Sequence, residues 1–89
     1  MNIEDVLCSK TRLKILKALI DSQQTPSVIA RNVAVNFVKT SKSLQILESE
    51  GILTHAKFGK RIRYYKYSET PRARAVQNLV VAFQERLTE

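Results

Sequence analysis

From Asn36 to Tyr67 the hydrophobic period changes once, and the change falls at a glycine. Residues 36–50 (NFVKTSKSLQILESE) set Phe37, Thr40 or Ser41, Leu44, Leu47 and Glu48 at the three- and four-residue steps of a helix, with Asn36 as its cap. Gly51 supplies the left-handed exit. Residues 52–67 (ILTHAKFGKRIRYYKY) then read as two strands about a turn at Gly59 and Lys60, the second rich in aromatic and β-branched types. The chain is therefore limited to folds in which one helix runs directly into one antiparallel hairpin.

The remaining segments read as helices. Asn2 can cap a short helix over 2–8 with Ile3, Val6 and Leu7 on one side, which Ser9 or Lys10 either breaks or continues. The stretch TRLKILKALI spaces Leu13, Ile15, Leu16, Leu19 and Ile20 as a broad buried stripe. Residues 21–24 are a polar connector. Thr25 and Pro26, cap and first helical position, open a short helix with Val28, Ile29 and Val33 inward, and Ala34 and Val35 turn the chain into the next. Thr70 and Pro71 repeat that start signal before a last helix over about 71–88. In the second strand the parity set Tyr65 and Tyr67 is assigned to the inner face, with Ile62 and Tyr64 partly exposed. The expectation is a mainly α fold with a small antiparallel β-hairpin in a single domain over 1–89. Its core and hairpin occupy about 9–68, between terminal helices.

Composition sets the outer bounds. Eighty-nine residues make one small domain whose core is only marginally stabilising. No apolar run approaches the ~18 residues of a membrane span. The acidic start MNIEDVL lacks the pattern of a signal peptide, so a cytoplasmic protein is expected. The single cysteine, Cys8, reads as a small buried hydrophobe, and the single histidine, His55, has no acidic or Ser/Cys partner adjacent in sequence. No nucleophile–base pair, paired acids, metal-ligand set or phosphate loop is visible, so neither an enzyme nor a metal or other cofactor is expected.

Charge points elsewhere. The net charge is +7. Residues 1–56 carry seven Lys/Arg and five Asp/Glu, whereas 57–67 carry Lys57, Lys60, Arg61, Arg63 and Lys66 with no acid. Residues 68–89 balance at three of each. Most of the excess thus lies on the hairpin, where cations can engage phosphate oxygens, Arg bidentately. On the outer face of the preceding helix stand Lys39, Lys42 and Ser43, flanked by Asn36, Val38 and Gln45. Lys can donate to guanine, and Asn or Gln can grip adenine by two hydrogen bonds. A polar-faced helix followed by a basic hairpin is the ordering of a winged helix-turn-helix, in which the helix enters the major groove and the hairpin, or wing, meets the backbone. In the last helix Val76, Leu79, Val80, Phe83 and Leu87 form more apolar surface than a small monomer hides. With Ile3, Val6 and Leu7 they suggest a homodimer interface.

Over most of its length the chain resembles the ArsR/MarR-like winged-helix regulators. LCSKTRLKILKALI is similar to their first core helix, VNFVKTSKSLQILESEGIL to their recognition helix and its exit, and FGKRIRYYKYSE to their wing. Its size and basic charge resemble those of small archaeal or viral members. The resemblance implies DNA contacts from Val38, Lys39, Ser41, Lys42 and Ser43, backbone contacts from Lys60, Arg61 and Arg63, and a homodimer built from terminal helices. Metal-sensing members carry cysteines on the recognition helix or His/Asp on the last helix, and this chain has neither. The function expected is a homodimeric, sequence-specific double-stranded DNA-binding regulator, a repressor acting on a palindromic site within the nucleoid. The same basic surface is compatible with an architectural DNA-binding protein of low specificity. The wing tyrosines are compatible with RNA binding, and a winged helix that binds only proteins would leave the charge incidental.

Overall fold

The computed structural model describes residues 9–59 and 62–88, with side chains as far as residue 83. Helices α1 (Lys10–Ala18), α2 (Pro26–Val33) and α3 (Phe37–Ser49) are followed by strands β1 (Leu53–Phe58) and β2 (Ile62–Tyr67) and by helix α4 (Pro71–Thr88). This is the winged helix-turn-helix arrangement. The expected helix over 2–8 lies outside the described residues, with Ile3, Val6, Leu7 and Cys8, and so do Lys60, Arg61 and the side chain of Leu87.

Each helix begins on a side-chain cap. Ser9, Thr25 and Asn36 accept hydrogen bonds from the backbone N–H groups of Arg12, Val28 and Lys39, each satisfying a donor that has no partner within its helix. The Thr70 hydroxyl accepts from Ala73 N–H and donates to the carbonyl of Gly51, tying the start of α4 to the end of α3. At the first junction Ser9 is extended and caps α1, which begins at Lys10. The turn between α2 and α3 places Ala34 in the left-handed region (φ 57°), and Gly51 ends α3 at φ 75°.

The core gathers one stripe from every element: Ile15, Leu16 and Leu19 around α1, Ile29 and Val33 from α2, Leu44 and Leu47 from α3, Ile52 and Leu53 at the strand entry, Tyr65 from β2, and Val76 and Val80 from α4. Leu19 caps the end of α1. Val28, expected inward, is exposed. It sits one position before Ile29 and so about 100° round α2, off the stripe that Ile29 and Val33 share.

The two strands pair antiparallel, from Leu53 opposite Tyr67 to Phe58 opposite Ile62. Tyr65 is buried and Tyr67 half-buried, whereas Ile62 is exposed, as the parity argument expects. A third, one-residue strand joins them: Gln24 exchanges both backbone hydrogen bonds with Tyr65, at 3.2 and 2.8 Å. The polar connector is thus part of the sheet. Its side chain reaches two further elements, the amide donating to the carbonyl of Ala18 (2.7 Å) and the oxygen accepting from Asn32 (3.0 Å).

Candidate nucleic-acid interface

Helix α3 is anchored by Thr40, Ser43, Leu44 and Leu47. Two assignments from sequence are reversed. Ser43, placed on the outer face, is buried at 8% exposure, and Phe37, placed on the inner face, is 52% exposed. A stripe through Leu44 and Leu47 extends back to Thr40 and takes in Ser43 on the same side, where a small hydroxymethyl group suits a packed position. The first turn, with Phe37, projects past the core. Ser43 is therefore not available to a ligand. The outer face consists of Val38, Lys39, Lys42 and Gln45, all exposed, with Ser41 half-buried beside them. Asn36 is exposed as well, but its amide oxygen caps Lys39 N–H at 2.9 Å. The two-bond adenine contact considered for it needs that same oxygen.

The wing divides along its length. At its root, the Tyr67 hydroxyl donates to the carbonyl of Leu16 at 2.6 Å, and burial pushes its pKa well above the ordinary value near 10. His55 packs obliquely on the Tyr65 ring, with centroids 5.6 Å apart, and its Nδ1 meets the Glu48 carboxylate of α3. Sequence reading missed this pair because the partner lies seven residues back, across the corner that Gly51 turns. Towards the tip, Lys57 and Arg63 face each other across the strands, both exposed. Phe58 and Ile62, the last pair before the turn, are exposed too, with Phe58 edge-on to Tyr64 at 5.0 Å.

Helix and wing meet at a cleft of about 350 Å³, bordered by Thr25, Pro26 and Ser27 at the start of α2, Phe37 at the start of α3, and Ile62, Arg63 and Tyr64 of β2. The structure thus brings the first turn of α3 and a wing cation onto one opening. Among the described residues no acidic side chain lines it, and none stands in the first turn of α3. The acids of α3 lie at its other end, Glu48 against His55 and Glu50 at 3.8 Å from Arg72 of α4. A cationic surface with a helix end at its centre is suited to a polyanion.

The expected dimer surface on α4 divides in two. Val76 and Val80, with Ala73, are buried in the chain's own core and offer nothing to a partner, because their spacing forms the stripe that packs inward. Leu79 and Phe83, four residues apart, stand outside that stripe at 40% and 42% exposure. Among the described residues no three His, Cys, Asp or Glu side chains come together, and no helix is long and apolar enough to cross a membrane.

A basic recognition helix and wing on this scaffold define a DNA-binding regulator of the winged helix-turn-helix class, and such regulators are not enzymes. The sequence profile of the arsR family of bacterial regulatory proteins matches residues 9–55, more than half of the 89 residues. The chain belongs to that family. Among solved structures, its fold is similar to that of the transcriptional repressor BigR from Xylella fastidiosa (TM-score 0.82, 18% identity, covering 93% of this chain and 81% of that one). It is similar also to Mb0332 from Mycobacterium bovis, described as a homodimeric winged helix-turn-helix DNA-binding domain and a possible ArsR-family regulator (0.75, 24%, 97% and 78%). A third is the adhesin competence repressor AdcR from Streptococcus pyogenes (0.81, 19%, 98% and 64%). No curated protein sequence matches the chain significantly.

Proposed function

We propose that the chain is a homodimeric, sequence-specific repressor that acts on double-stranded DNA in the cytoplasm. The observation that carries this reading is the shared opening of α3 and the wing, where the first turn of α3 and Arg63 stand together with no acidic side chain among the described residues that line it. Val38, Lys39, Ser41, Lys42 and Gln45 would meet base edges, and Lys57, Lys60, Arg61 and Arg63 the phosphates. Leu79 and Phe83 would form the dimer contact together with Ile3, Val6, Leu7 and Leu87 from the two ends of a single domain. A repressor and a homodimeric domain among the proteins of similar fold support the two finer parts of the reading.

In the mechanism that follows, two copies of α3 enter successive major grooves about 34 Å apart on a palindromic site, the wings hold flanking phosphates, and the bound dimer occludes the promoter. Contact with roughly 6–10 phosphates makes affinity fall steeply with salt. The test is selection from a random duplex pool at about 150 mM salt, where screening is substantial. Enrichment of a two-fold site with half-sites one turn apart supports the reading. Retention without an enriched sequence would point to an architectural protein, and no retention would remove DNA as the partner. Dimerisation has its own check: Phe83→Glu should shift sedimentation from dimer to monomer, and an unchanged mass would remove α4 from the interface.

A further inference from the structure

Helix α3 begins with two consecutive apolar residues, and neither is used by the core. Phe37 and Val38 are 52% and 68% exposed, whereas Leu44 and Leu47 further along the same helix are buried. The exposed apolar surface of α3 is thus concentrated in its first turn: Phe37 borders the cleft opposite Arg63, and Val38 stands on the exposed face that also carries Lys39 and Lys42. Apolar side chains gain by leaving water, so a partner for this end has to supply apolar surface. The cationic frame draws a polyanion to the same place. The edges of base pairs in the major groove present hydrogen-bond donors and acceptors and a single apolar group, the 5-methyl of thymine.

We infer that Phe37 and Val38 read thymine methyl groups, so that the bound half-site carries thymine where the first turn of α3 enters the groove. The inference rests on the duplex-DNA reading above and adds the chemistry of its specificity. Lys39 and Lys42 can donate to guanine or to phosphate, but they cannot distinguish thymine from uracil. An apolar pair does so, because the two bases differ only by the methyl group.

That difference is the test. A duplex carrying the selected site is made with deoxyuridine replacing each thymine in turn, and its affinity is measured with the wild-type chain and with Val38→Ala and Phe37→Ala. Val38 is largely and Phe37 about half in solvent, so both variants are expected to stay folded, which their melting curves check. Loss of a methyl at one or two positions in each half-site should weaken wild-type binding roughly fourfold. The same replacement should cost nothing further in the variant that lacks the contacting side chain. Equal affinity for thymine and uracil at every position would overturn the inference, as would a penalty that persists in full in both variants. A selected site with no thymine under the helix would do the same. In each of those cases the DNA-binding reading would stand. Absence of any duplex binding would instead remove that reading, and the inference with it.

Discussion

The root and the tip of the wing are built from the same two strands in one unbroken register, yet they belong to different parts of the molecule. At the root Leu53 and Tyr65 are core residues, Tyr67 is bonded to α1, and Gln24 adds a third strand. At the tip Lys57, Phe58, Ile62 and Arg63 all face solvent. Residues within about 17 Å of one another along a strand, by the rise of ~3.3 Å per residue, are thus packed into the body at one end and open to solvent at the other. Pairing alone does not assign a strand residue to the core. What decides it is whether another element covers its face.

The sharpest way to break this contrast is Tyr65→Ala. Removing a buried aromatic side chain costs about 3–5 kcal/mol, and the melting temperature should fall by about 4–8 °C for each of them. A loss below about 1 kcal/mol in denaturant titration would mean that the root is not part of the core. At the tip, the double variant Lys57→Ala with Arg63→Ala should melt within about 0.5 kcal/mol of wild type. Its duplex affinity should drop by roughly tenfold or more. The slope of log affinity against log salt should flatten by about 0.9 for each phosphate that the wing no longer neutralises. Unchanged binding would remove the tip from the interface.

Tyr67→Phe sharpens the same contrast at lower cost. The Leu16 carbonyl loses its donor, and stability should fall by about 1–2 kcal/mol in denaturant titration at neutral pH. The pH dependence carries a sign. Burial raises the folded-state pKa of Tyr67 above its unfolded value near 10. Its contribution is therefore fully present below pH 10 and declines as the pH rises beyond it, because the unfolded chain ionises first. Tyr67→Phe should show a smaller alkaline loss than wild type over that range, and parallel curves would refute the assignment. The smallest effect is expected of His55→Ala, which removes a part-exposed pair with Glu48 worth about 1 kcal/mol or less. A melting shift equivalent to several kcal/mol would mark His55 as a core residue.

The winged-helix order, the capping residues Thr25, Asn36 and Thr70, and the inward parity of Tyr65 and Tyr67 were legible in the sequence because each has a short-range signature. The phase of the first turn of α3 was not. Three- and four-residue spacing runs back from Leu44 to either side, and the hydroxyl of Ser43 argued for solvent whereas its small size suited it to the interior. Val76 and Val80 were misassigned for a related reason. Periodicity identifies an apolar helix side but not how much of it the chain's own core takes up. Gln24 and the His55–Glu48 pair were invisible, since a single bridging residue has no period and a pair across a corner has no local pattern.

Gln24 has a further consequence, which concerns length rather than strength. Its backbone is fastened to β2, its side-chain amide to the end of α1 and its side-chain oxygen to α2, so three elements meet at one residue. Such a joint fixes the angle at which the root of the wing leaves the helical body before any ligand arrives. A wing held at a set angle reaches a set distance along a duplex. The molecule is in that respect a gauge: in the proposed complex the wing would meet the backbone at a constant number of base pairs from the groove that α3 would enter.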